Sequence, residues 1–262
     1  LGDVYKRQVM GHVQDKDGKK MSKHIGNTVD PWSVLNTQGA DAVRWFFYNN
    51  AAPWMPNRFH AKAIDETTRK YMGTLWNTYA FFILYAEIDQ FNPKEHPLDK
   101  AELTLMDRWI LSRLNSLVRE VDDDLNEYKI FEASRAMTDF VDDLSNWYVR
   151  RSRERFWGKG MAGDKEAAFA TLYHVLETMS RLTAPFTPFM AENMYRNLVC
   201  SVDKDAPISV HMTDFPVCDE TYISAELEQH MRDLLEVVVL GRSCRSESGL
   251  KVRQPLSRMI VS

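Results

Sequence analysis

Thr104-Leu105-Met106-Asp107-Arg108-Trp109-Ile110-Leu111-Ser112-Arg113-Leu114-Asn115-Ser116-Leu117-Val118 opens a run of sixty residues, 98–157, that holds neither glycine nor proline. Met106, Trp109, Ile110, Leu114, Leu117, Val118, Val121 and Leu125 recur at steps of three and four, which makes one apolar helix face. Thr104 and Asp107 have the spacing of a capping box at its start. After Tyr128 a second stripe, Ala133, Ala136, Met137, Phe140, Val141, Leu144 and Tyr148, predicts a helix that ends near Gly158. The two read as a helical hairpin.

Outward from the hairpin the same punctuation predicts more helices. One spans about residues 59–88, followed by a polar linker at 90–100 that carries Pro93 and Pro97. Another spans 165–182 and breaks at Ala184-Pro185, and the next begins near Pro188, where proline suits a first turn. A last helix is expected at 224–244, with a short strand at 209–212 before it. The first sixty residues differ. They offer a strand at 9–13, an Asp15-Lys16-Asp17-Gly18 turn, a helix capped by Asp30 with Pro31 at its first position, and a second short helix at 41–48.

Composition bounds the function. The 262 residues suffice for one large domain or two, and 44% hydrophobic with 27% charged residues is the balance of a globular chain. Three cysteines with no CxxC pair give neither a disulfide framework nor a zinc knuckle, and no metal site is expected. No apolar run nears the roughly 20 residues that cross a bilayer. The chain is expected to be cytoplasmic, with neither a membrane nor DNA as partner. The net charge of −4 provides no long-range attraction for nucleic acid, so any such binding needs a local patch. Because the chain starts at Leu1 and stops at Ser262 inside the apolar run 259–261, itself strand-like, a fragment is expected.

Two stretches could carry chemistry. Lys19-Lys20-Met21-Ser22-Lys23-His24 follows directly on the strand and turn. Several ammonium groups on a mobile loop suit a polyphosphate, whose transition-state charge is spread over several oxygens. KKxxK alone equally describes a solvated basic turn. From Ser145 to Gly160 there are five basic residues against one acidic, a local +4. Arg150, Arg153 and Trp157 share one helical stripe, and Arg151 and Arg155 a neighbouring one. Arginines can hold phosphates bidentately, and rings such as Trp147 can stack on unpaired bases. The other reading makes Trp147 and Tyr148 core residues and pairs the arginines with Asp139, Asp142 and Asp143. Trp76 and Asn77, amid Tyr79, Phe81 and Phe82, read first as core.

The exact string Lys20-Met21-Ser22-Lys23-His24 resembles the KMSKS loop of class I aminoacyl-tRNA synthetases. The neighbouring Gly11-His12-Val13, Gly26-Asn27-Thr28-Val29-Asp30-Pro31 and Gly39-Ala40-Asp41-Ala42-Val43-Arg44 resemble the subgroup that charges isoleucine, valine and leucine. Ala52-Pro53-Trp54-Met55-Pro56-Asn57-Arg58-Phe59, Gly73-Thr74-Leu75-Trp76-Asn77-Thr78-Tyr79 and Ser145-Asn146-Trp147-Tyr148-Val149-Arg150-Arg151-Ser152-Arg153 are most similar to the isoleucyl-tRNA synthetase family, over about residues 9–262. A valyl or leucyl relative, or a tRNA-binding module with no catalytic duty, is the competing reading.

What the resemblance implies is specific. The fold would be mainly α: the end of a class I nucleotide-binding α/β domain with its KMSKS-type loop, then a helical-bundle anticodon-binding domain. Residues 1–8 fit poorly and are a candidate for foreign sequence. Residues 9–58 would close the catalytic domain, 59–215 would form the anticodon-binding bundle, and 216–262 a terminal helix with the start of a truncated strand region. Lys20 and Lys23 would be catalytic, Lys23 by stabilising departing pyrophosphate, and Lys20, Met21, Ser22 and Lys23 would bind ATP, which comes with Mg2+. His24 replaces the motif's last serine. Trp147, Arg150, Arg151, Arg153, Arg155 and Trp157 would bind tRNA(Ile). The whole enzyme would join isoleucine to ATP and pass it to that tRNA. His24-Ile25-Gly26-Asn27 spells three quarters of HIGH, the family's other signature, but it overlaps the KMSK string and cannot fill that place. Without a HIGH segment the chain is expected to be inactive alone.

Overall fold

The computed structural model describes residues 11–161 and 163–260. The readings of residues 1–8 and of a strand from Val9 therefore lie outside the described residues, and only Val13–Gln14 (β1) is extended there. Two short helices follow, Pro31–Gln38 (α1) and Ala40–Asn49 (α2), before Asn57–Arg58 (β2) pairs in parallel with β1, Val13 against Asn57 and Gln14 against Arg58. Asp30 caps α1 by accepting from the Trp32 and Ser33 N–H groups, with Pro31 in the first turn as expected.

The rest is helical. Ala61–Thr68 (α3) runs through a wide π turn at Arg69–Gly73 into Thr74–Asp89 (α4), the long helix expected at 59–88. Leu105–Asn126 (α5) begins with the capping box: Thr104 Oγ1 accepts from Asp107 N at 3.3 Å, and Asp107 Oδ2 accepts from Thr104 N at 2.9 Å. Ile130–Asp142 (α6), a π turn at Asp143–Val149 and Arg150–Trp157 (α7) together form the second arm of the hairpin. Asp164–Thr183 (α8), Pro188–Tyr195 (α9) and Ala225–Glu247 (α10) complete the order.

Two expected strands are corrected. Val210–Met212 is a 3-10 turn, because Glu192 Oε2 accepts both the Val210 N–H at 2.9 Å and the Ser209 hydroxyl at 2.8 Å, which takes the donor a strand neighbour would need. Residues 259–260 have no regular structure, and residue 261 lies outside the described residues.

Apolar faces of α4 to α9 bury one large core, with Trp109, Phe140, Tyr148, Phe156, Phe169 and Phe186 among its fully enclosed side chains. A smaller cluster of Val34, Ala42, Phe46, Phe59 and Ile64 lies under the amino-terminal segment, and Met21 and Val29 pack on it. Helix α2 belongs to both clusters: Phe46 faces the small one, while Trp45 stacks on Tyr71 at 3.7 Å in the large one. The basic loop is thus seated on the same helix that packs against the bundle.

Candidate functional site

The lysine loop is built on the β1–β2 pair. Gly11 passes so close to Met55 that a Cβ there would stand 2.2 Å from the Met55 carbonyl oxygen, so only glycine fits. After β1, Asp15 Oδ1 accepts from Asp17 N at 3.0 Å and Lys19 N at 2.8 Å, which closes the turn with Gly18 at φ +79°. Lys20 bridges back to Gln14. Lys19, Lys20, Lys23 and His24 are exposed, Met21 and Ser22 half-buried. Among the described residues neither Lys20 nor Lys23 is in an ion pair, so both ammonium charges are available to an outside anion.

The arginine turn lies at the far end of the bundle. Arg150, Arg151 and Arg153 are exposed on α7, and among the described residues none has an ion-pair partner. Arg153 leans over the Phe81 ring at 6.0 Å. Trp157 is 57% exposed, its indole N–H donating to the Tyr85 hydroxyl at 2.9 Å. Trp147 is half-buried against the core with the Arg242 guanidinium 5.8 Å above its ring. The alternative pairing with Asp139, Asp142 and Asp143 does not form: Asp143 bonds Arg113 at 3.2 Å and Asp142 accepts from Asn146.

Arg155 is a correction. It turns inward and grips the fully buried Asp107 in a two-pronged contact, at 2.8 Å to Oδ1 and 2.7 Å to Oδ2. Asp164 and its backbone carbonyl occupy the guanidinium's outer side. Tyr148 donates to Asp107 Oδ1 at 2.6 Å. Burial would push the Asp107 carboxyl up, but the bonds from Arg155, Tyr148 and Thr104 outweigh it and hold it below its ordinary value. Burial and the adjacent Asp107 charge push the Tyr148 hydroxyl well up. Arg155 is therefore held in the core, unlike the exposed Arg150, Arg151 and Arg153. The sequence carried a signal for it, since position 155 falls seven residues after Tyr148 on the inward stripe. Trp76 differs in the other direction: it is exposed and, with Asn77, Met72 and Met190, borders a shallow groove.

Sequence reasoning missed Asn27, whose side chain crosses the lysine loop, and it gave Asp41 and Arg44 no structural task. A lone Asn after a loop has no spacing signature, and its three hydrogen-bond partners appear only once the loop is folded.

Residues 107–260 match the family of the anticodon-binding domain of tRNA ligases. The chain belongs to that family. Residues 4–55, ahead of this anticodon-binding region, match class I tRNA synthetases of the I, L, M and V group. The expected likeness to isoleucyl-tRNA synthetases is borne out: the chain is 53% identical over 254 residues to the isoleucine–tRNA ligase of Clostridium novyi, and 50% over 252 residues to that of Dehalococcoides mccartyi. These matches cover 97% and 96% of the chain but 24% and 25% of the relatives, so it spans about a quarter of their length. A LeuRS–tRNA–LeuAMS ternary complex from Agrobacterium radiobacter shares the fold at TM-score 0.61 and 21% identity, covering 83% of this chain and 24% of that one. Mycobacterium tuberculosis methionyl-tRNA synthetase, bound to methionyl-adenylate, does so at 0.57 and 19%, covering 79% and 43%. The expectation of a mainly helical fold of class I synthetase type thus holds.

Proposed function

We propose that this chain is the part of an isoleucine–tRNA ligase that grips the anticodon arm of tRNA(Ile) and carries the lysine loop that neutralises pyrophosphate as it leaves ATP. The observation that carries the reading is the exposed helical turn Arg150, Arg151 and Arg153, without an ion pair among the described residues and set beside Trp157 in a region of anticodon-binding type. Phosphates suit the guanidinium forks, and unpaired bases suit the indole.

In the complete ligase the isoleucine carboxylate attacks the α-phosphorus of ATP, pyrophosphate departs, and the aminoacyl group then passes to the tRNA's terminal ribose. Lys23, and secondarily Lys20, would meet the charge that accumulates on the departing phosphates; Met21 and Ser22 would shape the loop around them. Two ammonium groups without partners fit that anion. Mg2+ would come with the nucleotide, as ATP chemistry of this class requires; among the described residues no group of three or more His, Cys, Asp or Glu could hold a metal ion. No helix among them is long and apolar enough to cross a membrane; a cytoplasmic ligase is the reading proposed with this function.

The test is direct. The isolated chain should bind tRNA(Ile) in a salt-sensitive way and form no isoleucyl-adenylate, while the full-length protein should exchange pyrophosphate with isoleucine in preference to valine or leucine. Adenylate formation by the 262 residues alone, or no affinity for tRNA, would overturn the reading.

A further inference from the structure

We propose that Asn27 is the positioning residue of the lysine loop: its carboxamide, oriented by Asp15, holds the backbone on both sides of Met21 and so fixes where Lys20 and Lys23 present their charge. The inference rests on the proposed ligase function and concerns a residue with no charge of its own. Asn27 Nδ2 donates to Asp15 Oδ2 at 2.7 Å and to the Lys20 carbonyl at 3.2 Å, and Asn27 Oδ1 accepts from the Ser22 N–H at 2.8 Å. The orientation of the amide follows from its partners. An ionised Asp15 can only accept, so Nδ2 must face it, and that leaves Oδ1 toward the Ser22 donor. Asp15 is itself fixed, because its other oxygen accepts from Asp17 N and Lys19 N. The Asn27 bond, the first cause, holds the Asp15 carboxyl below its ordinary value.

On the opposite side of the backbone the Met21 side chain packs on the cluster that contains Phe46 and Ile64. Residues 20–22 are therefore clamped from two sides. Beyond them, the Ile25 and Gly26 N–H groups return to the Ser22 carbonyl at 3.2 and 3.1 Å, which leaves Lys23 on an exposed turn. Among the described residues neither ammonium has an ion-pair partner, so the backbone positions from which the two lysine stems start are what the loop itself controls, and Asn27 holds that backbone.

The test compares Asn27→Asp with the exchange variant Asp15→Asn/Asn27→Asp in the full-length protein. Asn27→Asp puts two carboxylates together and should lower kcat of isoleucine-dependent pyrophosphate exchange roughly 10²-fold, the usual penalty of misplacing a reacting group by about 1 Å. The KM for isoleucine and the affinity for tRNA should stay within about twofold, because the proposed role of the loop is toward the departing phosphates alone. The exchange variant restores the bond with donor and acceptor reversed but leaves the Lys20 carbonyl without its donor, so it should recover roughly tenfold. The melting temperature of the 262-residue chain should be the same for all three. A merely structural Asn27 would instead lower melting temperature and tRNA affinity together, and that result overturns the proposal. So does an Asn27→Asp enzyme of near-normal kcat, or an exchange variant no faster than it. Wild-type protein without pyrophosphate exchange would fail the ligase reading itself; active wild type with an indifferent Asn27→Asp fails only this inference.

Discussion

Asp41 and Arg44, one helical turn apart on α2, close on opposite ends of the same turn between α8 and α9. Arg44 donates to the carbonyls of Pro185 at 2.7 Å and Phe186 at 3.1 Å; Asp41 accepts from the N–H groups of Met190 at 2.7 Å and Phe189 at 3.4 Å. A helix start leaves amides unsatisfied, and the Asp41 carboxylate meets those of α9, whereas Arg44 holds two carbonyls of the turn that follows the end of α8 at Thr183. Thr187, in the cap position of α9, makes no side-chain cap, so the cap comes from a residue distant in sequence. Loss of such a cap typically costs about 1–2 kcal/mol. Asp41→Ala should therefore lower the melting temperature of the chain by roughly 5 °C. Differential scanning calorimetry at neutral pH checks this, and a value unchanged from wild type would show the contact to be idle.

Acid should act through Asp107 in particular. Its folded pKa lies below its ordinary value of 3.8, so the stability it provides is complete above that pH and is lost as pH falls through the depressed folded value. Burial raises the Asp41 and Asp143 carboxyls, whose contributions run the other way and weaken as pH rises through their folded values. Urea midpoints measured from neutrality down to about pH 2.5 should fall steeply below pH 4 in the wild type and less steeply in Asp107→Asn. Removing the partner is harsher. Arg155→Met strands a buried carboxylate and should cost on the order of 3–5 kcal/mol at neutral pH, against nearly nothing for Arg150→Ala.

The helices could be read from sequence because their information is local: the Thr104–Asp107 box, the stripe from Met106 to Leu125 and the Pro188 start each lie within a few residues of what they specify. The turn that leads into the lysine loop could also be read, from Asp15 to Gly18. What could not be read joins distant segments. Arg155 looked like one more member of a basic run until Asp107, forty-eight residues earlier, lay beneath it. Residues 209–212 have strand composition, yet Glu192 from another element takes their donors. Likewise Asp41 gains a task only when α9 is set against α2.

The arginine turn sets a quantitative expectation for RNA. Each phosphate neutralised adds roughly 0.7–0.9 to the slope of log affinity against log salt, so Arg150→Ala/Arg151→Ala/Arg153→Ala should flatten that slope by about 2. Fluorescence anisotropy with labelled tRNA over a salt series measures it. Because these side chains are exposed and have no ion pair among the described residues, the melting temperature should hardly move. If the triple variant keeps the wild-type slope, tRNA binds elsewhere on the bundle.

Lys23 tests the other end of the chain. It stands on an exposed turn and has no ion pair among the described residues, so its loss should leave folding and tRNA affinity intact. A preorganised donor aimed at developing charge is worth about 10²-fold to 10³-fold in rate, and Lys23→Ala in the full-length protein should slow pyrophosphate exchange by that order. Lys23→Arg keeps the charge but replaces a compact ammonium with a broad planar fork, and should recover only part of the loss. The split between the two activities is decisive: a Lys23→Ala protein that exchanges pyrophosphate at the wild-type rate would remove the loop from the chemistry and leave the chain as a tRNA-holding module.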